Sequence, residues 1–248
     1  MVDLRTAQLK DANERLVKSE RLAAIGELAG MVGHDLRNPL AGIKNASYFL
    51  KKKGVAISET QFKEMLDTID KCIEHSNKII SDLLDYSRKM QLELTKYAAH
   101  TLVDEATRMI QVPDRIRIVN CVNEEAQIWV DADKMMRVFI NLIKNAIDAM
   151  PDEGTVEISS CETRDHVKIS FSDTGVGIPD EILHKLFTPL FTTKAQGMGF
   201  GLAICKSIIE AHEGTIKVKT KANKGTTFTI TLPTKPKGST SKKTQTLS

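Results

Sequence analysis

Bulky rings are scarce in this 248-residue chain: aromatic residues make up 5% of it, with a single Trp, so any core must be built mainly from aliphatic side chains. No hydrophobic run approaches the roughly 18 residues that a membrane helix requires, so no segment reads as membrane-spanning. The opening stretch, MVDLRTAQLK, lacks the charged-then-apolar order of a secretory signal. Cys72, Cys121, Cys161 and Cys205 form no C-x-x-C pair, which argues against a disulfide frame or a zinc site and for a reducing, cytoplasmic setting. Cys72 and His75 are the nearest approach to a ligand pair, and no second pair completes them. Bulk charge is also missing. The net charge of +3 is too small to suggest a basic nucleic-acid binder. Most of it sits at the C-terminal end, where residues 235–248 carry four lysines and no acid, while 91–234 carry 16 basic and 19 acidic side chains. Any phosphate-bearing ligand must therefore be held by local devices and not by bulk charge.

What is present is ordinary for a globular protein, 41% hydrophobic and 27% charged, with a length that fits one or two domains at about 150 residues each. Residues 1–90 contain one proline, Pro39, and apolar residues spaced by three and four: Leu22, Ile25, Ala29, Val32, Leu36, Leu40 and Ile43, then Phe62, Met65, Leu66, Ile69, Ile73, Ile80, Leu83 and Leu84. That spacing predicts two long helices broken near Lys51–Gly54, with Ser58 capping the second. Two such helices cannot bury their stripes alone, and a hairpin that dimerises into a four-helix bundle solves the problem. Beyond residue 95 the pattern changes. Short β-branched runs at 115–122, 127–130, 155–160, 167–171, 215–219 and 226–232 alternate with helical patterns at 101–110, 131–149 and 201–212. This order predicts an α+β multidomain chain, a helical hairpin followed by an α/β sandwich with helices on one face of a sheet. The expected division is a coiled-coil-like stub at 1–25, the hairpin at 8–92, the sandwich at 95–234 with a hinge near 90–98, and a disordered tail at 235–248.

Several constellations carry chemistry. His34 lies two positions past Val32, about 200° around a helix, and so points away from the apolar seam. Most exposed histidines are plain surface residues, but Asp35 follows and Asn38 stands one turn on, with Pro39 next, where a missing donor breaks the helix ladder. A carboxylate that keeps one imidazole nitrogen protonated leaves the other free as a nucleophile, and Asn38 can position a water on the same face. Asn141, Asn145 and Asp148 share one face of a predicted helix; read blandly they are its polar outer side, and read chemically they can reach phosphate, Mg²⁺ and its waters. Asp173-Thr174-Gly175-Val176-Gly177 follows a strand and is either a simple turn or a close-approach loop whose buried carboxylate accepts from an exocyclic amine. Gly197, Gly199 and Gly201, before Leu202, open a helix whose amides favour anions, in neither the dinucleotide nor the Walker spacing.

Gly33-His34-Asp35-Leu36-Arg37-Asn38-Pro39-Leu40 resembles the H-box of two-component sensor histidine kinases. The run 141–149 resembles their N-box, 173–179 the first glycine box, 187–194 the lid segment, 197–202 the second glycine box and 224–228 the last one. The resemblance spans about residues 20–234. It implies an ATP- and Mg²⁺-dependent autokinase in which His34 is the phosphoacceptor, Asp35 its activating acid/base and Asn38 a participant in phosphatase chemistry. It also implies that Asn145 ligates Mg²⁺, that Asp173 reads the adenine amine, and that Asn141, Asp148, Gly175, Gly177, Lys194, Gly197, Gly199, Gly201, Leu202 and Thr226 line the nucleotide site under a lid spanning 174–199. The phosphoryl group would pass to an aspartate of a response regulator receiver domain, from a homodimer whose upstream sensor is not in this chain. Two other readings stay open from the residues: an ATPase of the gyrase and heat-shock type, which would lack the His-Asp hairpin, and a regulator-binding scaffold without catalysis.

Overall fold

The computed structural model describes residues 30, 32–87, 90–194 and 199–235; the expected 1–25 stub, Gly197 and most of the tail lie outside them. Two compact units make up the described chain, one holding the hairpin with residues 192–194 and 199–200, the other Met90–Phe191 and 201–235.

The hairpin has helix α1 (residues 32–53), a tight turn at Gly54–Ala56 and helix α2 (Glu59–Ser87). Gly54 makes the turn with φ +51°, and the Ser58 hydroxyl accepts from the Gln61 amide at 3.3 Å, the cap expected from the sequence. The helices touch at Gly42, where an added Cβ would come within 2.7 Å of Cys72 Sγ. Val32, Ala46 and Ile79 are buried, yet Leu40, Phe62, Leu66, Ile73, Ile80 and Leu84 remain exposed. The α2 members of that exposed set recur at heptad-like spacing and form a seam left open among the described residues.

The other unit opens with β1 (Thr95–Ala98) and α3 (Ala99–Arg108), followed by β2 (Ile116–Cys121), β3 (Gln127–Val130), α4 (Ala132–Asp148), β4 (Gly154–Glu162) and β5 (His166–Asp173). A single helical turn, α5 (Asp180–Leu183), precedes α6 (Gly201–Ala211), β6 (Thr215–Thr220) and β7 (Thr226–Pro233). Five strands form a mixed sheet in the order β2-β4-β5-β7-β6, parallel only between β2 and β4, while β1 and β3 pair separately. Strict alternation turns Thr226, Phe228, Ile230 and Leu232 of β7 inward, and α3, α4 and α6 cover that face. The Phe139 and Phe171 rings meet 5.2 Å apart between helix and sheet, and the remaining core is aliphatic, as the shortage of aromatics requires.

The strands expected from the sequence all form. Two elements were not expected: β1, whose Thr95–Ala98 carries no apolar β-branched residue, and α5, a single turn. β1 also narrows the expected hinge at 90–98, because Thr95–Ala98 pairs along its length with β3. Pro39 does to the helix what the sequence suggests. α1 runs through it, and only the helical bond to the Asp35 carbonyl loses its donor.

Candidate functional site

Helix geometry puts His34 on the outer side of α1, with its side chain 68% exposed. Its Nδ1 lies 3.2 Å from Asp35 Oδ1, the one contact that links the two neighbours. A carboxylate accepts only, so in this arrangement Nδ1 carries the proton and the Nε2 lone pair faces outward. Among the described residues Nε2 has no partner. Asn38, one turn on, is also exposed.

A second group forms in the sheet unit. Asp173 ends β5 and is 7% exposed. Its Oδ1 accepts from the Gly175 amide at 2.9 Å and the Thr226 amide at 3.1 Å. Burial raises the carboxyl above its ordinary value, and the two amides pull it back without cancelling the effect. Both bonds land on Oδ1, which leaves Oδ2 without a partner among the described residues and able to accept from a ligand amine. Thr226 is buried, its hydroxyl 3.1 Å from that of Thr220. The Thr220 hydroxyl in turn accepts from the Ile178 amide and donates to the Gly225 carbonyl. Gly177 has φ +73°, and a Cβ there would come within 2.3 Å of the Lys221 carbonyl oxygen, so a side chain at this turn is excluded.

The same turn is tied to the end of α4. A Cβ at Gly175 would come within 2.5 Å of the Ala149 carbonyl oxygen, which accepts from the Val176 amide at 3.0 Å. On α4, Asn145 Nδ2 donates to Asn141 Oδ1 at 3.0 Å, one turn apart and half-buried, while Asp148 is exposed. Gly201 opens α6 against Asn141, whose Nδ2 would lie 2.5 Å from an added Cβ. Leu202 follows, half-buried. The structure thus brings Asn141, Asn145, Asp173, Gly175, Gly177, Gly201 and Thr226 into one connected site. Lys194 and Gly199 belong to the unit that holds the hairpin: the Lys194 amide donates to Thr192 Oγ1, and Gly199 has φ +67°. Within the segment 174–199 expected as a lid, residues 174–178 are hydrogen-bonded to β4, to the end of α4, to Thr220 of β6 and to Asn223. Phe187 is also held, with Lys206 Nζ 6.0 Å above its ring.

Sequence reasoning missed a third cluster. Asp131 caps α4, its Oδ1 accepting from the Lys134 amide at 3.2 Å, and its Oδ2 accepts from the Glu93 amide at 3.1 Å and meets the Lys134 ammonium. The Asp131 amide donates to His212 Nε2 at 3.0 Å, and His212 Nδ1 donates to the Ile208 carbonyl at 2.7 Å. Burial alone would raise the Asp131 carboxyl, but the Lys134 side chain and the two amides outweigh it and hold it below its ordinary value. Burial pushes the His212 imidazole below its own. An Asp just before an apolar helix is a legible cap signal, whereas nothing in the sequence joins positions 131 and 212.

Residues 24–92 match the family model described as the His Kinase A (phospho-acceptor) domain, and 130–236 match that of the Histidine kinase-, DNA gyrase B-, and HSP90-like ATPases. The chain is 34% identical to the sensor histidine kinase ZraS of Escherichia coli K12 over 93% of its own length and 50% of that protein. It is 33% identical to sporulation kinase A of Bacillus subtilis over 92% of its length and 38% of that protein. It therefore spans about half the length, or less, of these curated relatives. Among solved structures, the histidine kinase ThkA in complex with the response regulator protein TrrA superposes with a TM-score of 0.76 at 28% identity, covering 93% of this chain and 68% of that one. The separate catalytic domain of ThkA gives a TM-score of 0.53 at 34% identity, over 57% of this chain and 96% of that one.

Proposed function

The chain belongs to the two-component histidine kinase family, and we propose from its geometry that it is an ATP-dependent autokinase that phosphorylates His34 and passes the phosphoryl group to an aspartate of a response regulator receiver domain. One observation carries the reading: an exposed imidazole whose Nδ1 is engaged by Asp35 and whose Nε2 is open. In the first step the Nε2 lone pair forms a bond to the γ-phosphorus and the bond from that phosphorus to the β,γ-bridging oxygen breaks, releasing ADP. The positive charge left on the ring is balanced by the Asp35 carboxylate. In the second step a carboxylate oxygen of the receiver attacks the same phosphorus, and the N–P bond breaks. Asn38 is exposed on the His34 side of α1, where it can orient a water for hydrolysis of the regulator's acyl phosphate.

The nucleotide site follows from the sheet unit. Asp173 Oδ2 accepts the adenine amine, a role that suits a buried carboxylate with one oxygen already satisfied. The carboxamides of Asn141 and Asn145 face the phosphates, with the α6 N-terminus at Gly201 and the Lys194 side chain neutralising charge. The oxygen donors of α4 fit Mg²⁺, with Asn145 as ligand and Asp148 within reach through water, and the ion when bound would neutralise the phosphate oxygens. Phosphoryl transfer asks a protein mainly for positioning, and the division into an acceptor helix and a separate nucleotide unit supplies it by docking. The exposed apolar seam of α2 supports a homodimer, in which the seams of two hairpins close a four-helix bundle. The lengths of the relatives support a sensor region outside this chain.

Incubation with γ-labelled ATP and Mg²⁺ tests the reading. The expected result is protein-bound label that is acid-labile and base-stable, lost in His34→Ala and chased by a receiver domain. Free phosphate without labelled protein would instead indicate an ATPase, and neither signal a scaffold.

A further inference from the structure

The segment entering the sheet unit, residues 90–94, has no secondary structure, yet it is fastened at Glu93. Glu93 donates its amide to Asp131 Oδ2. Asp131 is 6% exposed and divides its two oxygens: Oδ1 caps α4, the helix that carries Asn141 and Asn145, while Oδ2 holds the entering chain and the Lys134 ammonium. The backbone of Asp131 is itself pinned, because its amide donates to His212, 4% exposed at the end of α6. One buried residue thus joins the entering segment, through its carboxylate, to the start of α4 and, through its backbone amide, to the end of α6. Past Glu93, β1 begins at Thr95, whose hydroxyl donates to the Val130 carbonyl beside Asp131.

We propose that Asp131 is a positioning residue for phosphoryl transfer: its Oδ2 latches the segment at Glu93, so that the nucleotide unit hangs from a short, fixed tether and not a longer loose one. The inference rests on the kinase reading above. Its reasoning is entropic. Release of Glu93 frees backbone up to the start of β1, which enlarges the set of orientations the unit explores and lowers the fraction in which the γ-phosphoryl stands in line with His34 Nε2. ATP binding, which involves none of these atoms, is left as it was.

The two oxygens make the test selective. Asp131→Asn keeps an oxygen to cap α4, since Asn is as good a cap as Asp, but sets an NH₂ against the Glu93 amide. Asp131→Ser keeps a capping hydroxyl and removes the second acceptor without opposing two donors. In the full chain, the expected result for both is faster hydrogen exchange at residues 90–94 with unchanged exchange in the first turn of α4. Autophosphorylation kcat should fall roughly tenfold while KM for ATP and the Kd for a non-hydrolysable ATP analogue stay within about twofold. Four results overturn the latch: unchanged exchange at 90–94, freed exchange with unchanged kcat, loss of analogue binding in parallel with kcat, or exposure of the α4 cap in both variants. A wild-type chain that binds the analogue but leaves His34 unlabelled overturns the kinase reading, and the proposal with it.

Discussion

The hairpin and the sheet unit solve the burial problem in opposite ways. The sheet unit closes its own core: Phe139, Phe171, Ile158, Ile169 and Ile230 are all buried, and α3, α4 and α6 leave little of the inner face uncovered. The hairpin leaves Phe62, Leu66, Ile73, Ile80 and Leu84 on α2 in solvent. The sites follow the same contrast. Asp173 is buried and fixed by amides from two separate strands and turns, whereas His34 is exposed and held by one neighbour. On the proposed reading, a nucleotide gripped in one geometry needs a preorganised site, and an imidazole that meets first a nucleotide and then a partner carboxylate must stay accessible.

The contrast predicts unequal responses to truncation. Phe139→Ala opens a cavity in the closed core and should cost about 3–5 kcal/mol, read as a lowered urea midpoint of the sheet unit. Ile73→Asp, on the open seam, should leave that transition unmoved and instead shift the chain from dimer to monomer in sedimentation. A hairpin substitution that unfolds the sheet unit would break the comparison.

Next in size is the adenine contact proposed for Asp173. Asp173→Asn retains an oxygen for the Gly175 and Thr226 amides but presents a donor to a donor, and should weaken ATP binding by roughly 2 kcal/mol, or about thirtyfold. Calorimetric titration reads this, and the urea midpoint of the sheet unit should barely move. Equal affinity in the variant would remove Asp173 from the site.

The smallest effect concerns pH. His212 is buried neutral and its imidazole is depressed, so the unfolded chain takes up a proton more readily than the folded one. Its contribution is whole above an unfolded value of about 6.5 and is lost as pH falls from there toward the folded value. The urea midpoint of the sheet unit should therefore drop between about pH 7 and 5.5, and His212→Gln should flatten that slope. Equal slopes would show that His212 does not titrate on unfolding.

Local pattern carried much of this before any coordinates. The 3-4 spacing of α1 and α2, the Ser58 cap, the six strands β2 to β7 and the stripe Asn141-Asn145 are each set by neighbours within a few turns or one strand. What stayed hidden depends on sheet order. The Thr226 amide reaches Asp173 because β7 pairs with β5, 53 residues away in sequence, and the Asp131 amide reaches His212 across 81 residues. β1 was hidden because Thr95–Ala98 carries no apolar β-branched residue, unlike the equally short β3, and its formation turns part of an expected hinge into sheet. Pro39 was legible too: it removes one helical donor, and the long helix absorbs that loss.

The central claim is that the open imidazole of His34 accepts the phosphoryl group. Phosphorus NMR of the intact chain after incubation with ATP and Mg²⁺ tests it most directly. The account predicts a protein-bound phosphoramidate resonance on an imidazole nitrogen, abolished in His34→Ala while that variant still binds ATP. A phosphoryl group that persists in His34→Ala, or free phosphate with no protein-bound resonance in the unaltered chain, would contradict it.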